Sequence, residues 1–172
     1  MKRVLKNFSQ LALVGILMVA FGTMTQAQTV INGKSALGTW KTIDDETGDP
    51  KSHIVITESG GTYSGKIIKL LKVSPEVAAK SKVGAAGGYS DLTCSACPAA
   101  HGKGEKMIGL KMLWGMKKKS DKYADGDIMD PKKGKVYTCT MWLDEDDSSG
   151  NTLKVRGWWG FFYRTQTWHR VN

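Results

Sequence analysis

The stretch LKVRGWWGFFYRTQTWHRVN, residues 153–172, is rich in aromatic side chains and decides the predicted fold. Its composition predicts two strands joined at Gly160. Alternate residues of a strand share a face, so Phe162, Arg164, Gln166, Trp168 and Arg170 are expected on one side of the second strand. That face mixes apolar and polar groups, and burying it requires hydrogen-bonding partners for the polar ones. A terminal strand of this kind is expected to close a larger β-structure.

Upstream of this hairpin the chain alternates between apolar segments and turn signals. Asp, Gly and Pro between the segments favour tight turns, and Gly60-Gly61 is a strong two-residue hairpin signal. Together with the terminal hairpin, this predicts about eight short strands. The six upstream segments are Leu37–Ile43, His53–Glu58, Tyr63–Val73, Met107–Met116, Tyr123–Met129 and Val136–Leu143.

Sequential strands without crossover helices predict an all-β antiparallel meander. A meander of this size can close into a barrel, which removes exposed sheet edges. The interior of such a barrel holds either packed side chains or one small ligand.

Residues 72–106 differ from the rest of the chain and are predicted to form a long insertion between two strands. Ser74-Pro75-Glu76 predicts the start of one short helix, with Ser as N-cap and Pro at the first helical position. Small residues and the pair Cys94 and Cys97 follow. Loops of this length in a compact domain are usually functional or disordered.

The first 27 residues are typical of a secretory signal peptide. Lys2, Arg3 and Lys6 precede a short apolar run from Leu11 to Phe21, and Thr25-Gln26-Ala27 resembles a cleavage site. The run is short for a membrane span. We therefore expect an exported protein, periplasmic or secreted by a bacterium, whose mature part, residues 28–172, is a single domain.

Removing the three basic residues of the signal segment lowers the formal net charge from +9 to +6. The remaining basic residues lie in local runs such as Lys117-Lys118-Lys119, which favour solvated turns over a nucleic-acid interface. An exported protein is also not expected to bind nucleic acid. Attraction to anionic lipid headgroups stays open, and no transmembrane segment is expected after signal cleavage.

Several short motifs resemble those of DUF2147, a family of exported bacterial proteins with no assigned activity, and behind it the lipocalin or calycin barrels. These motifs are Gly38-Thr39-Trp40, Asp44-Asp45, Ile128–Pro131, Gly134–Tyr137, Arg156-Gly157 and Arg164–Trp168. The resemblance implies a calycin-like barrel whose first-strand Trp packs under a last-strand Arg. It assigns these roles to Trp40 and Arg164, with Arg170 as the alternative to Arg164.

The motif Cys94-x-x-Cys97 is compatible with a disulfide, part of a metal site or a redox pair. An oxidising compartment favours the structural disulfide. Zinc would need a fourth ligand beyond both cysteines and His101, and thioredoxin-like chemistry would need a βαβ setting that the flanking sequence lacks. Cys139 is expected to be buried and free, although pairing with Cys94 or Cys97 stays open.

No familiar catalytic or phosphate-binding motif is present, so we predict no catalytic residue, no cofactor and no metal. Asp130 and Tyr137 are the strongest loose candidates for chemistry. Turn capping by Asp130 and core packing by Tyr137 are the favoured readings.

Three functional hypotheses follow, of which a non-catalytic binding protein for a small apolar or amphiphilic ligand is the first. The second is a filled barrel that docks an envelope protein, and the third is a thiol-redox protein using Cys94 and Cys97. Alternation predicts one apolar face made of Ile108, Leu110, Met112, Trp114 and Met116. This Met- and Trp-rich stripe favours the first hypothesis, because flexible Met side chains suit adaptable pockets, although an ordinary filled core would show the same stripe. The predicted ligand-binding residues are Trp40, Ile108, Leu110, Met112, Trp114, Tyr137, Met141, Arg164 and Trp168.

Overall fold

The computed structural model describes residues 35–45, 47–71 and 91–172. Eight β-strands follow one another in these ranges. Their bounds are β1 Gly38–Ile43, β2 Pro50–Ser59, β3 Thr62–Leu70, β4 Lys111–Lys119, β5 Lys122–Asp130, β6 Lys135–Leu143, β7 Thr152–Trp159 and β8 Phe162–Arg170.

Each strand pairs antiparallel with the next, and β8 pairs with β1 to close the barrel. The predicted all-β meander and its closure are confirmed. Gly60 and Gly61 form the β2–β3 turn with φ of 58° and 74°, the positive values that a two-residue hairpin of this kind requires. The β1–β8 seam is short, running from Trp40↔Arg170 to Thr42↔Trp168.

The interior of the barrel is packed with side chains from every strand. Its centre consists of large, fully buried residues. Burying their apolar surface stabilises the folded state by about 25 cal/mol per Å². Thr42 and Ser52 are the polar residues buried among the described strands, and their hydroxyls share a 2.8 Å hydrogen bond. The largest buried residues are Trp40, Ile54, Ile56, Leu113, Met116, Met129, Met141, Leu153, Val155 and Trp168.

The prediction that Met112 and Trp114 share the buried face of β4 with Met116 is wrong. Leu113 is fully buried, and strand alternation therefore places Met112 and Trp114 on the opposite face. A bulge at Gly115, with φ of 72°, then returns Met116 to the interior. The extra residue of β4 appears as a register shift against β3, and β5 leaves room beside it, since a Cβ on Gly126 would lie 2.3 Å from the Trp114 carbonyl oxygen.

The insertion is described from residue 91 onwards. Leu92 and Met107 share a backbone hydrogen bond, as do Cys94 and Glu105, so this part forms a small irregular loop. It contains one 3-10 turn, Ala99–His101. The predicted strand from Met107 begins instead at Lys111. The helix expected at Ser74 and the signal segment both lie outside the described residues.

Candidate functional site

One end of the barrel is closed by Trp40 and Arg170. The guanidinium carbon of Arg170 lies 4.2 Å from the centroid of the Trp40 ring. Its nitrogens donate to the carbonyl oxygens of Ser35, Leu37 and Gly150 at 2.7–3.3 Å. Assigning the capping role to Arg164 was therefore wrong, and the alternative, Arg170, is confirmed.

Gly38 and Tyr123 support the same closure. Gly38 has φ of 111°, and a Cβ there would stand 3.1 Å from an Arg170 nitrogen, so a glycine is needed both for conformation and for space. The Tyr123 hydroxyl accepts from the Ala36 amide, and the Trp40 indole donates to the Ala36 carbonyl. Burial lowers the pKa of Arg170 from its ordinary value, and the carbonyl contacts offset this desolvation.

At the opposite end, which we call the mouth, the same face of β8 carries a polar network. Arg164 Nε lies 2.7 Å from Asp45 Oδ2, and Gln166 Nε2 donates to the same oxygen at 3.2 Å. The Gln166 carbonyl oxygen accepts from the Trp168 indole at 3.2 Å. The network thus runs from the buried Trp168 out to Arg164, whose side chain is 52% exposed.

The β5–β6 turn reaches across to this network and forms a small charged notch with it. Asp130 Oδ1 accepts from the Lys132 and Lys133 amides at 2.9 and 3.3 Å, which confirms its predicted role in capping the turn. The notch encloses about 40 Å³. It is lined by Asp44, Asp45, Lys51, Asp130, Lys132, Lys133, Arg164 and Gln166.

Next to the charged notch, an apolar wall rises from the β7–β8 hairpin. Trp159 pairs with Phe162, and strand alternation places Phe162 on the same face as Arg164. Both rings are largely exposed, at 69% and 75%. The Lys135 ammonium lies 5.5 Å from the centroid of the Trp159 ring. The mouth therefore places aromatic surface directly beside cations.

A second concave feature lies on the outer wall of β5–β7. This open depression has a volume of about 550 Å³ and is lined by Ala124, Asp125, Thr138, Cys139, Thr140, Trp158 and Gly160.

The cysteine segment packs against the mouth. Cys94 and Cys97 form the predicted disulfide, with both residues buried. The Cys94 sulfur lies 3.5 Å from the Pro131 carbonyl oxygen, and a Cβ on Gly134 would lie 1.9 Å from the Ala96 carbonyl oxygen. The insertion is thereby fitted to the β5–β6 turn, and the zinc alternative is incompatible with the bonded sulfurs.

Cys139 is free and buried, as predicted. Desolvation, with a smaller contribution from Asp127, raises the pKa of its thiol to about 12. A thiol held neutral in this way is a weak nucleophile at neutral pH.

The residues predicted to bind a ligand are dispersed by the fold. Trp40, Met141 and Trp168 are fully buried in the interior, and Leu110 is buried beside the insertion. Tyr137, Ile108, Met112 and Trp114 are partly buried, and the Trp114 ring stacks on His101 at 4.5 Å. Arg164 is the predicted residue that lies at the mouth.

Sequence reasoning missed the ligand potential of Asp45, Gln166, Lys132, Lys133 and the exposed hairpin aromatics. The sequence does point to Asp45 and Gln166, because Asp44-Asp45 and Arg164–Trp168 are among the motifs that resemble the DUF2147 family. What the motifs do not show is that the two segments touch across the barrel seam.

The family model described as "Uncharacterized protein conserved in bacteria (DUF2147)" matches residues 38–170, from the first residue of β1 to the last of β8. The chain belongs to the DUF2147 family. The match supplies no activity for this DUF2147 barrel. No curated protein matches it.

A solved structure similar to the DUF2147 barrel is described as "Protein HP1028 from the human pathogen Helicobacter pylori belongs to the lipocalin family". The two share 17% sequence identity with a TM-score of 0.59, over 80% of this chain and 84% of that chain. The likeness shows a common lipocalin-like fold. Within the described residues, no helix has the length and apolar character needed to cross a membrane.

Proposed function

We propose that this protein is an exported, non-catalytic binding protein that holds a small amphiphilic molecule at the mouth of its barrel. The observation that carries the proposal is the juxtaposition of the charged notch with the exposed rings of Trp159 and Phe162. A polar headgroup and an apolar tail need these two kinds of surface side by side.

The chemistry of the mouth favours an anionic headgroup. Arg164 presents a planar fork of donors, and its side chain is half exposed while it contacts Asp45. Lys132 and Lys133 stand on the other side of the notch, and neither has an ion-pair partner within the described part of the chain. A carboxylate or phosphate could accept from these groups, while the alkyl or ring portion packs on Trp159 and Phe162.

The packed interior sets the depth of the proposed site. Trp168 and Met141 already fill the barrel below the mouth, so the molecule is held at the rim, with its polar end near Arg164 and Gln166. The ligand residues proposed here are therefore Arg164, Gln166, Lys132, Trp159 and Phe162.

The first test is native mass spectrometry of protein purified from its own host. We expect a copurified small molecule with an acidic headgroup. N-terminal sequencing of the same material is expected to begin at Gln28, which tests export and cleavage after Ala27. A chain that retains Leu11–Phe21 would contradict the exported reading.

The second test measures binding of a fatty acid and of a lysophospholipid by titration calorimetry. We expect Arg164→Ala to weaken binding by about tenfold, because it removes a charge-assisted hydrogen bond. Lys118→Ala, an exposed cation on β4, serves as the control and is expected to bind like the wild type. Equal affinity of the Arg164 variant and wild type, or no saturable binding of either probe, would rule out the proposed site.

A further inference from the structure

The turn of the β7–β8 hairpin exposes four aromatic side chains. Trp159, Phe161, Phe162 and Tyr163 are 69%, 98%, 75% and 58% exposed, and we call them the aromatic tip. Trp159 and Phe162 share one face of the hairpin, and Phe161 lies at its turn, whereas Tyr163 lies on the other face against Trp158. Single exposed apolar residues are ordinary, but several at one hairpin end indicate an interaction surface.

The hairpin that carries the aromatic tip extends past its neighbour β1. β8 pairs with β1 only from Trp168 to Arg170, so the part of β8 from Phe162 to Thr167 is paired with β7 alone. The two-residue turn Gly160-Phe161 ends this projection, and Gly160 adopts the positive φ of 59° that the turn requires. Phe161 therefore stands at the end of a two-stranded β-ribbon.

Three lysines lie near the tip, and Asp45 and Asp130 line the same notch as two of them. Lys135 lies over the Trp159 ring, and Lys132 and Lys133 occupy the neighbouring β5–β6 turn. Within the described residues, none of these three ammonium groups forms an ion pair. The partner of this surface must therefore tolerate aromatic insertion and supply negative charge.

We infer that the aromatic tip docks the protein on an anionic lipid bilayer, with Phe161 and Phe162 entering the interfacial layer and Lys132, Lys133 and Lys135 contacting headgroups. Trp and Tyr favour the membrane–water interface because their rings combine an apolar body with a polar edge. Lysines near an anionic leaflet add attraction of about 1 kcal/mol each. Phe162 and Lys132 also belong to the proposed ligand site, whereas Phe161 and Lys135 do not line the charged notch, so docking through the tip does not require a ligand there.

The charge around the aromatic tip favours a bilayer over a second copy of the chain as its binding partner. A two-fold contact would place the same patch of each copy together, and the lysines beside one tip would face the lysines beside the other. This repulsion disfavours self-association through the tip, whereas an anionic surface gains from the same charges.

The experiment is co-sedimentation with vesicles, using the protein in the form that its host accumulates. Vesicles of phosphatidylcholine alone are compared with vesicles of phosphatidylcholine and phosphatidylglycerol in equal parts. We expect partitioning at least about tenfold stronger on the anionic vesicles, decreasing with added salt as the Debye length shortens.

Two pairs of variants separate the apolar and the electrostatic parts. Phe161→Ser with Phe162→Ser is expected to weaken partitioning by about tenfold or more, whereas Ile68→Ser, on the distant β3, leaves it unchanged. Because Ile68 is itself an exposed apolar residue, it controls for a general loss of hydrophobic surface.

The second pair consists of two double variants that have the same net charge. Lys132→Glu with Lys133→Glu is expected to abolish the preference for phosphatidylglycerol, whereas Lys117→Glu with Lys118→Glu, at the far end of β4, retains it. Partitioning that is equal for wild type and both tip variants would overturn the inference. Sedimentation velocity without lipid tests the alternative. If the wild type is an oligomer and the Phe161 and Phe162 variant is a monomer, the tip is a self-association surface instead.

Discussion

The guanidinium carbon of Arg170 lies 4.2 Å from the centroid of the Trp40 ring, joining the last strand to the first. The same guanidinium donates to carbonyl oxygens on both sides of the chain closure, those of Leu37 and Gly150. One side chain thus connects β1, β8 and the β6–β7 turn. Burying a guanidinium costs free energy, and here the Trp40 ring and the carbonyl oxygens compensate for the lost contacts with water.

Arg170→Ala is expected to lower the free energy of unfolding by roughly 2–4 kcal/mol, because it leaves a cavity and unpaired carbonyls. Arg170→Lys is expected to recover little of this, since an ammonium cannot stack as a planar group does. The measurement is denaturant unfolding in a double-mutant cycle with Trp40→Leu, where we expect a coupling of about 0.5–2 kcal/mol.

Arg164→Ala is the matched control for this cycle. Its partner Asp45 is a rim residue and the pair is half exposed, so the expected loss is under about 1 kcal/mol. Additive effects of the Trp40 and Arg170 changes would mean that the contact contributes no coupling energy.

Gly134→Ala is expected to detach the cysteine segment from the β5–β6 turn. The new Cβ would meet the Ala96 carbonyl oxygen at 1.9 Å, in addition to the strain of φ at 64°. We expect a loss of about 3 kcal/mol or faster tryptic cleavage at Lys103 and Lys106. Gly48→Ala has a similar φ of 75° with open space around it, so it is expected to show only the conformational cost, about 1–2 kcal/mol.

The buried thiol of Cys139 predicts a loss of stability in alkali. Its pKa is raised to about 12 in the folded protein, from an ordinary value of 9.0. Above pH 9 the unfolded chain releases this proton and the folded one retains it, so stability falls as pH rises from 9 to 12. The slope attributable to Cys139 is on the order of 1 kcal/mol per pH unit.

This slope is isolated by comparing the wild type with Cys139→Ala across that pH range. The variant is expected to be less stable at pH 7, where it has lost packing, but to decline less steeply above pH 9. Parallel curves for the two proteins would show that Cys139 is not protected from ionisation by the fold.

The Cys94–Cys97 disulfide predicts a defined thiol count. Folded protein is expected to show almost no reactive thiol, and unfolding without reductant is expected to expose one, that of Cys139. Reduction is expected to cost about 2 kcal/mol, because so short a loop constrains the unfolded chain only modestly. Three thiols in the oxidised protein, or two in its folded form, would contradict this arrangement.

The strands and turns were predictable because their signals are local. Alternation along β6 correctly grouped Tyr137, Cys139 and Met141, and Gly60-Gly61 correctly marked the β2–β3 turn. The β4 prediction failed where regular alternation does, since a bulge at Gly115 moves Met116 relative to Leu113. Bulges depend on how two strands approach each other, which one strand's sequence does not encode.

The sequence by itself determined that the chain would be an antiparallel barrel closed by its aromatic last strand, and its resemblance to DUF2147 and the lipocalins implied a Trp on the first strand packed under an Arg on the last. Only the tertiary structure decided which arginine. Arg164 and Arg170 share one face of β8, and alternation cannot distinguish them. The register of β8 against β1 does, because it places Arg170 opposite Trp40 and leaves Arg164 near Asp45 at the mouth. Register is a relation between strands far apart in the chain, fixed by the packing of all eight together.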